Sequence, residues 1–133
     1  MAIQQEKIIH DEMVQTVASV LEKKDFQDVR AFVPGFPNPP EIQLTPGGPS
    51  YRPDVHAKSG AEVVIEVETA ETLGQEETEQ HWKAFSEYCR KTSGLFYLVV
   101  TRDATEKAEK RLQEMDIEAK VLVMLPHHTP QDS

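Results

Sequence analysis

Hydrophobic residues return along this chain in three rhythms, and the rhythms divide it into elements. Over Glu6–Lys24, residues Ile9, Met13, Val17, Val20 and Leu21 recur at helical spacing between Gln, Glu and Lys, which predicts an amphipathic helix. Asp28–Phe36 (DVRAFVPGF) alternates Val29, Ala31 and Val33 against Arg30 and Phe32, which predicts a first strand that Pro34 ends or holds at an edge. Residues 34–53 are rich in Pro and Gly and read as a long loop, with a brief strand at Glu41–Leu44. A loop of that length suits either a substrate-contacting flap carrying Tyr51 and Arg52 or a plain strand connection.

A second alternation follows. An extended run containing Arg52-Pro53-Asp54 ends at Asp54, and a turn at Ser59-Gly60 leads into a strand, Glu62–Thr69. Side chains alternate faces along a strand, so Val63, Ile65 and Val67 share one side while Glu62, Val64, Glu66 and Glu68 share the other. Gln75–Lys91 is a second amphipathic helix with Trp82, Phe85 and Cys89 on its buried stripe and Tyr88 at the edge. Its acids lead and its bases trail, as the helix dipole favours, and Gly94 supplies a stop. Leu95–Thr101 (LFYLVVT) is nearly all apolar, the third rhythm, and fits a central strand covered on both faces. A shorter helix at Thr105–Met115 and a last buried strand at Lys120–Leu125 complete the order helix, strand, strand, strand, helix, strand, helix, strand. That order predicts an α/β fold with a mixed sheet flanked by helices, in one domain spanning 1–133 with a flexible tail at 126–133.

Composition narrows the picture. No apolar run approaches the roughly 18–20 residues that span a bilayer, and residues 1–12 hold no apolar signal segment. The single cysteine, Cys89, cannot close an internal disulfide and suits a reducing compartment, so a cytoplasmic location without membrane partners is expected. Lys plus Arg number 14 against 23 Asp plus Glu, a net charge of −9, and Ala61–Gln80 holds seven glutamates with no Lys or Arg. Such a balance opposes tight, sequence-independent binding to phosphate backbones unless bound cations offset it.

The chemistry sits in the hairpin. If its two strands pair, Asp54 and Glu66 come within side-chain reach of one point, and Glu68 joins them on the same face. Like charges that close are unfavourable without a positive group between them, and a hard divalent cation with oxygen ligands is the usual answer. Alternatively, valines inward and glutamates outward describe an ordinary half-exposed strand.

Pro53-Asp54 followed by Glu66-Val67-Glu68 resembles the motif of the PD-(D/E)XK, restriction-endonuclease-like nucleases, with Glu68 where that family usually has Lys. The order of elements is similar to the family's αβββαβαβ core over roughly residues 5–125. The resemblance implies a Mg²⁺- or Mn²⁺-dependent hydrolysis of DNA phosphodiesters, by an endonuclease or resolvase-like enzyme. It implies Asp54, Glu66 and the Val67 carbonyl as metal ligands, and a first-helix acid, Glu12 or Glu6, as a further one. Glu68 would be ligand or general base, and Lys83 or Lys58 would stand in for the displaced lysine. Gln80 and His81 lie on the helix from which family members often contribute a polar residue. DNA, a homodimer or a larger protein are the partners such an enzyme implies. A catalytically inactive module of the same fold, binding nucleic acid or a partner protein, is the alternative that the missing lysine leaves open.

Overall fold

The computed structural model describes residues 2–124, with side chains from Lys7 onward. Its centre is a five-stranded mixed sheet in the order β1-β4-β5-β6-β7, where β1 is Gln27–Ala31, β4 Val55–Ser59, β5 Ala61–Glu68, β6 Leu95–Thr101 and β7 Lys120–Met124. A tight turn at Gly60 makes β4 and β5 antiparallel neighbours, and the long loop at 32–54 returns the chain to set β4 antiparallel to β1. Helical crossovers make β5, β6 and β7 parallel. The crossover helices are α2 (Glu76–Thr92) and α3 (Thr105–Met115), and α1 (Ala2–Lys23) precedes the sheet. The element order of the sheet and its helices is the one that the hydrophobic pattern predicts.

The alternation along β5 divides the core into two layers. Val63, Ile65 and Val67 pack with Val55, Ala57 and Val99 beneath α1. Val64 faces the opposite layer with Phe96, Leu98 and Val100, under Trp82, Phe85 and Cys89 of α2 and Ala108 and Leu112 of α3. Each such side chain contributes roughly 1.5–3 kcal/mol when fully buried, so slipping β5 by one residue would put two glutamates and Val64 where Val63, Ile65 and Val67 now pack.

Five expectations are corrected. The buried stripe of α1 is Met13, Val14, Val17, Ala18 and Leu21, whereas Ile9 and Val20 are exposed. The helix meets the sheet on a face rotated by about one residue from the predicted one, because only α1's inner side is covered. β1 ends at Ala31, whose N–H bonds the carbonyl of Pro37, so 32–36 form a turn over the sheet edge and Phe32 points to solvent. The long loop contains a separate small hairpin, β2 (Ile42–Gln43) with β3 (Ser50–Tyr51), and Ile42 packs under α2. β7 is an edge strand with Leu122 and Val123 exposed, not a buried one. The left-handed residue that stops α2 is Ser93 rather than Gly94, while Gly94 N–H closes onto the Cys89 carbonyl at 2.8 Å. The predicted tail at 126–133 lies outside the described residues. No helix among the described residues is long and apolar enough to cross a membrane.

Candidate functional site

Pairing of Val55 with Ile65 sets Asp54 directly across from Glu66, at the start of β4 and near the end of β5. The two residues interlock. Asp54 N–H donates to Glu66 Oε1 at 2.9 Å, and Val67 N–H donates to Asp54 Oδ2 at 2.8 Å. A strand residue's carbonyl points to the same side as its N–H, so the Val67 carbonyl faces Asp54 as well. The sequence places these acids together, and the structure does so by main-chain hydrogen bonds that fix each carboxylate.

Burial decides against the half-exposed strand. Glu66 is 5% and Glu68 4% exposed, because α2 and the turn at residues 69–75 cover the face that an uncovered hairpin would leave wet. Burial, then the charges of Asp54 and Glu68, hold the Glu66 carboxyl well above its ordinary range. Burial also pushes Glu68 up to about 7, against the opposing pull of its hydrogen bonds from Thr72 and Trp82.

Glu68 departs from the arrangement of three convergent carboxylates. Thr72 Oγ1 donates to its Oε1 at 2.6 Å and the Trp82 indole N–H to its Oε2 at 3.1 Å, which turns both oxygens toward α2 and the preceding turn. Trp82 is a core residue, fully buried, and orients Glu68 from within that core. Among the described residues, no three His, Cys, Asp or Glu side chains converge at metal-ligating distance. Asp54 and Glu66 make a two-carboxylate site, and two carboxylates with several waters are what Mg²⁺ ordinarily takes. Among the described residues neither Asp54 Oδ1 nor Glu66 Oε2 receives a hydrogen bond, and His81 Nδ1 lies 3.6 Å from Glu66 Oε2. One free oxygen on each acid therefore remains for a cation, and the donor chemistry fits.

The basic side chains at the site are histidines. His10 Nε2 lies 3.3 Å from Asp54 Oδ2, and its Nδ1 3.4 Å from Asp11. The hydrogen bond to Asp54 raises its pKa to about 9, against the opposing effect of burial. Burial lowers the pKa of His81, which stacks at 4.8 Å on Tyr51 beside an open cavity of about 680 Å³ lined also by Glu76, Glu77 and Gln80. His10 is the residue that the pattern reading passes over. It stands one turn before Met13 and Val14 on the α1 stripe, and a polar residue on that extension of a buried face is the signal that marks it.

The remaining candidates lie elsewhere. Glu12 is exposed, about 200° around α1 from His10, and does not reach the acids. The side chain of Glu6 is outside the described residues. Lys83 is exposed and, among the described residues, makes no hydrogen bond or ion pair with the carboxylates. Lys58 lies at the far end of β4, opposite Glu62. Arg52 is pinned to the Pro-rich loop, donating to the Pro39 carbonyl at 3.1 Å and resting over the Phe32 ring. Tyr51 is likewise packed against His81 and Phe85, so this part of the loop is anchored rather than a free flap. Comparisons with protein-family models, with curated proteins and with solved structures return no match for this chain.

Proposed function

We propose that this domain has a restriction-endonuclease-like core and hydrolyses DNA phosphodiesters with Mg²⁺ or Mn²⁺ held by Asp54 and Glu66. The observation that carries the reading is the interlock of Asp54 with Glu66 in a buried site. There two carboxylates lie side by side with no lysine or arginine among their hydrogen-bonding and ion-pairing partners. The sheet order, with the Pro-Asp element on one hairpin strand and Glu-Val-Glu on the next, supports the fold assignment.

Asp54 Oδ1 and Glu66 Oε2 would hold the ion, with the Val67 carbonyl as a third oxygen. When bound, it would acidify a water and neutralise charge on the phosphate. Glu68, held at about 7 and fixed by Thr72 and Trp82, is the carboxyl able to take up a proton near neutral pH. Each of its oxygens accepts one hydrogen bond and keeps a second lone pair for that proton, while their direction toward α2 takes them away from the ion. His10, a cation at neutral pH against Asp54, supplies the positive group next to the acids that the family's lysine would otherwise provide.

The test is cleavage of end-labelled linear duplex, four-way junction and single-stranded DNA with Mg²⁺ or Mn²⁺, using wild type and Asp54→Asn. Metal-dependent cleavage lost in the variant is the expected result. Absence of cleavage on every substrate, by a protein that takes up the metal, would overturn the catalytic reading. The engagement of Glu68 at the position of the family lysine favours one other reading, a module that binds DNA or a partner protein without cutting. Retained DNA binding without cleavage would select it.

A further inference from the structure

The two edges of the sheet are built differently. β1 is closed off: Asp28 takes a positive φ of 50° at an irregularity in the pairing with β4, and Asp28 and Arg30 place an ion pair there. The Ala31 N–H is bound by Pro37 and the Arg30 guanidinium by the Asn38 carbonyl, so the following turn lies over this edge. Bulges, charges and covering loops are the devices by which proteins keep an edge from pairing with another chain.

β7 is simpler: its pairing with β6 shows no irregularity, and its one charged residue is Lys120 at the start of the strand. Its five residues, Lys-Val-Leu-Val-Met, contain no acid, no proline and no glycine, and they hydrogen-bond β6 in unbroken register. Apolar surface stands free on both faces of the strand. Leu122 is 44% exposed on the α1 side, because α1 packs chiefly on β1, β4 and β5. Val123 is 44% exposed on the α3 side.

We infer that the β7 edge is a self-association surface, and that its occupant is β7 of a second copy in antiparallel pairing about a two-fold axis. The strand is complementary to itself. Centred on Leu122, the pairing sets Leu122 against Leu122, Val121 against Val123 and Lys120 against Met124 of the second copy, so no like charges meet. Cross-strand pairs of β-branched and aliphatic residues are the favoured kind. Electrostatics select the same place, because two chains of net charge −9 repel over most of their surface and this strand holds no carboxylate. The two sheets join into one of ten strands with no β7 edge left open. This inference stands apart from the metal site and does not need it.

Sedimentation velocity on wild type, Leu122→Lys, Leu122→Glu and an equimolar mixture of the two variants tests it, at up to about 100 µM, which reaches well past micromolar association. Wild type is expected to sediment as a dimer. Each variant, its like charges set face to face, should associate at least about tenfold more weakly. The mixture should regain the dimer, since Lys and Glu then meet across the axis. The exposure of Leu122 makes both variants tolerable to the fold, and far-UV circular dichroism checks that directly. A wild type that stays monomeric, or a dimer that ignores both substitutions, overturns the inference. So does a mixture that fails to reassociate.

Discussion

Glu62 and Glu66 stand four residues apart on the same face of the same strand, yet their surroundings are opposite. Glu62 receives the Tyr88 hydroxyl at 2.8 Å on both oxygens and the His56 ring at 2.6 Å, and a quarter of its side chain remains exposed. Glu66 is buried with a single main-chain donor at hydrogen-bonding distance and two carboxylates for neighbours. One glutamate has been given its partners by the protein. The other has been given like charge, and the cost of that arrangement is what a bound cation would offset. Alternating acids on a strand therefore mean nothing alone; the donors around each one separate a carboxylate whose charge is satisfied from one whose charge is not.

The largest expected consequence is in the pH dependence of stability without metal. Glu68 has its folded pKa raised from 4.5 to about 7, so the folded chain binds more protons than the unfolded chain between those values. Stability therefore falls as pH rises from about 4.5 to 7, by on the order of 3 kcal/mol for this group alone. His10, raised from 6.5 to about 9, acts in the same direction: its contribution is complete below 6.5 and is lost as pH rises through 9. Urea denaturation across pH 5–9 should show this decline, and Mn²⁺ should suppress its lower part. A flat profile would remove the distinction between Glu66 with Glu68 and Glu62.

Substitution sharpens the same contrast by sign. At pH 8 without metal, Glu66→Gln should stabilise the fold by about 1–3 kcal/mol, since it removes a buried charge from an acid cluster. Glu62→Gln should destabilise it by about 1–2 kcal/mol, because Tyr88 and His56 lose a carboxylate acceptor. Equal signs in denaturant titrations would break the comparison. A smaller effect, about 1 kcal/mol of destabilisation, is expected for Thr72→Val, which removes one donor from Glu68. It should also move the Glu68 titration, followed by carboxyl NMR, to higher pH. Lys83→Ala should leave stability within about 0.5 kcal/mol and metal affinity unchanged, as for any exposed lysine away from the acids.

The sheet, its crossovers and the Asp54–Glu66 pairing were legible because they rest on short-range rules. Period two along Glu62–Thr69, the turn at Ser59-Gly60 and the apolar run at Leu95–Thr101 each specify a strand, and the register follows from the turn. What the pattern could not reveal depends on contacts between distant segments. His10 meets Asp54 across 44 residues and Trp82 meets Glu68 across 14, so neither pairing leaves a local signature. The exposure of β7 was hidden for a related reason: an apolar strand reads the same at a sheet's centre and at its edge, and only the strand order tells them apart.

The central claim is that Asp54 and Glu66 form a divalent-cation site. Calorimetric titration of Mn²⁺ into wild type, Asp54→Ala and Glu66→Gln tests it without knowledge of any substrate. One saturable site in wild type, weakened at least about tenfold in each variant, is the result that two cooperating carboxylates require. Wild type that takes up no Mn²⁺, or variants that bind it as well as wild type does, would contradict the claim.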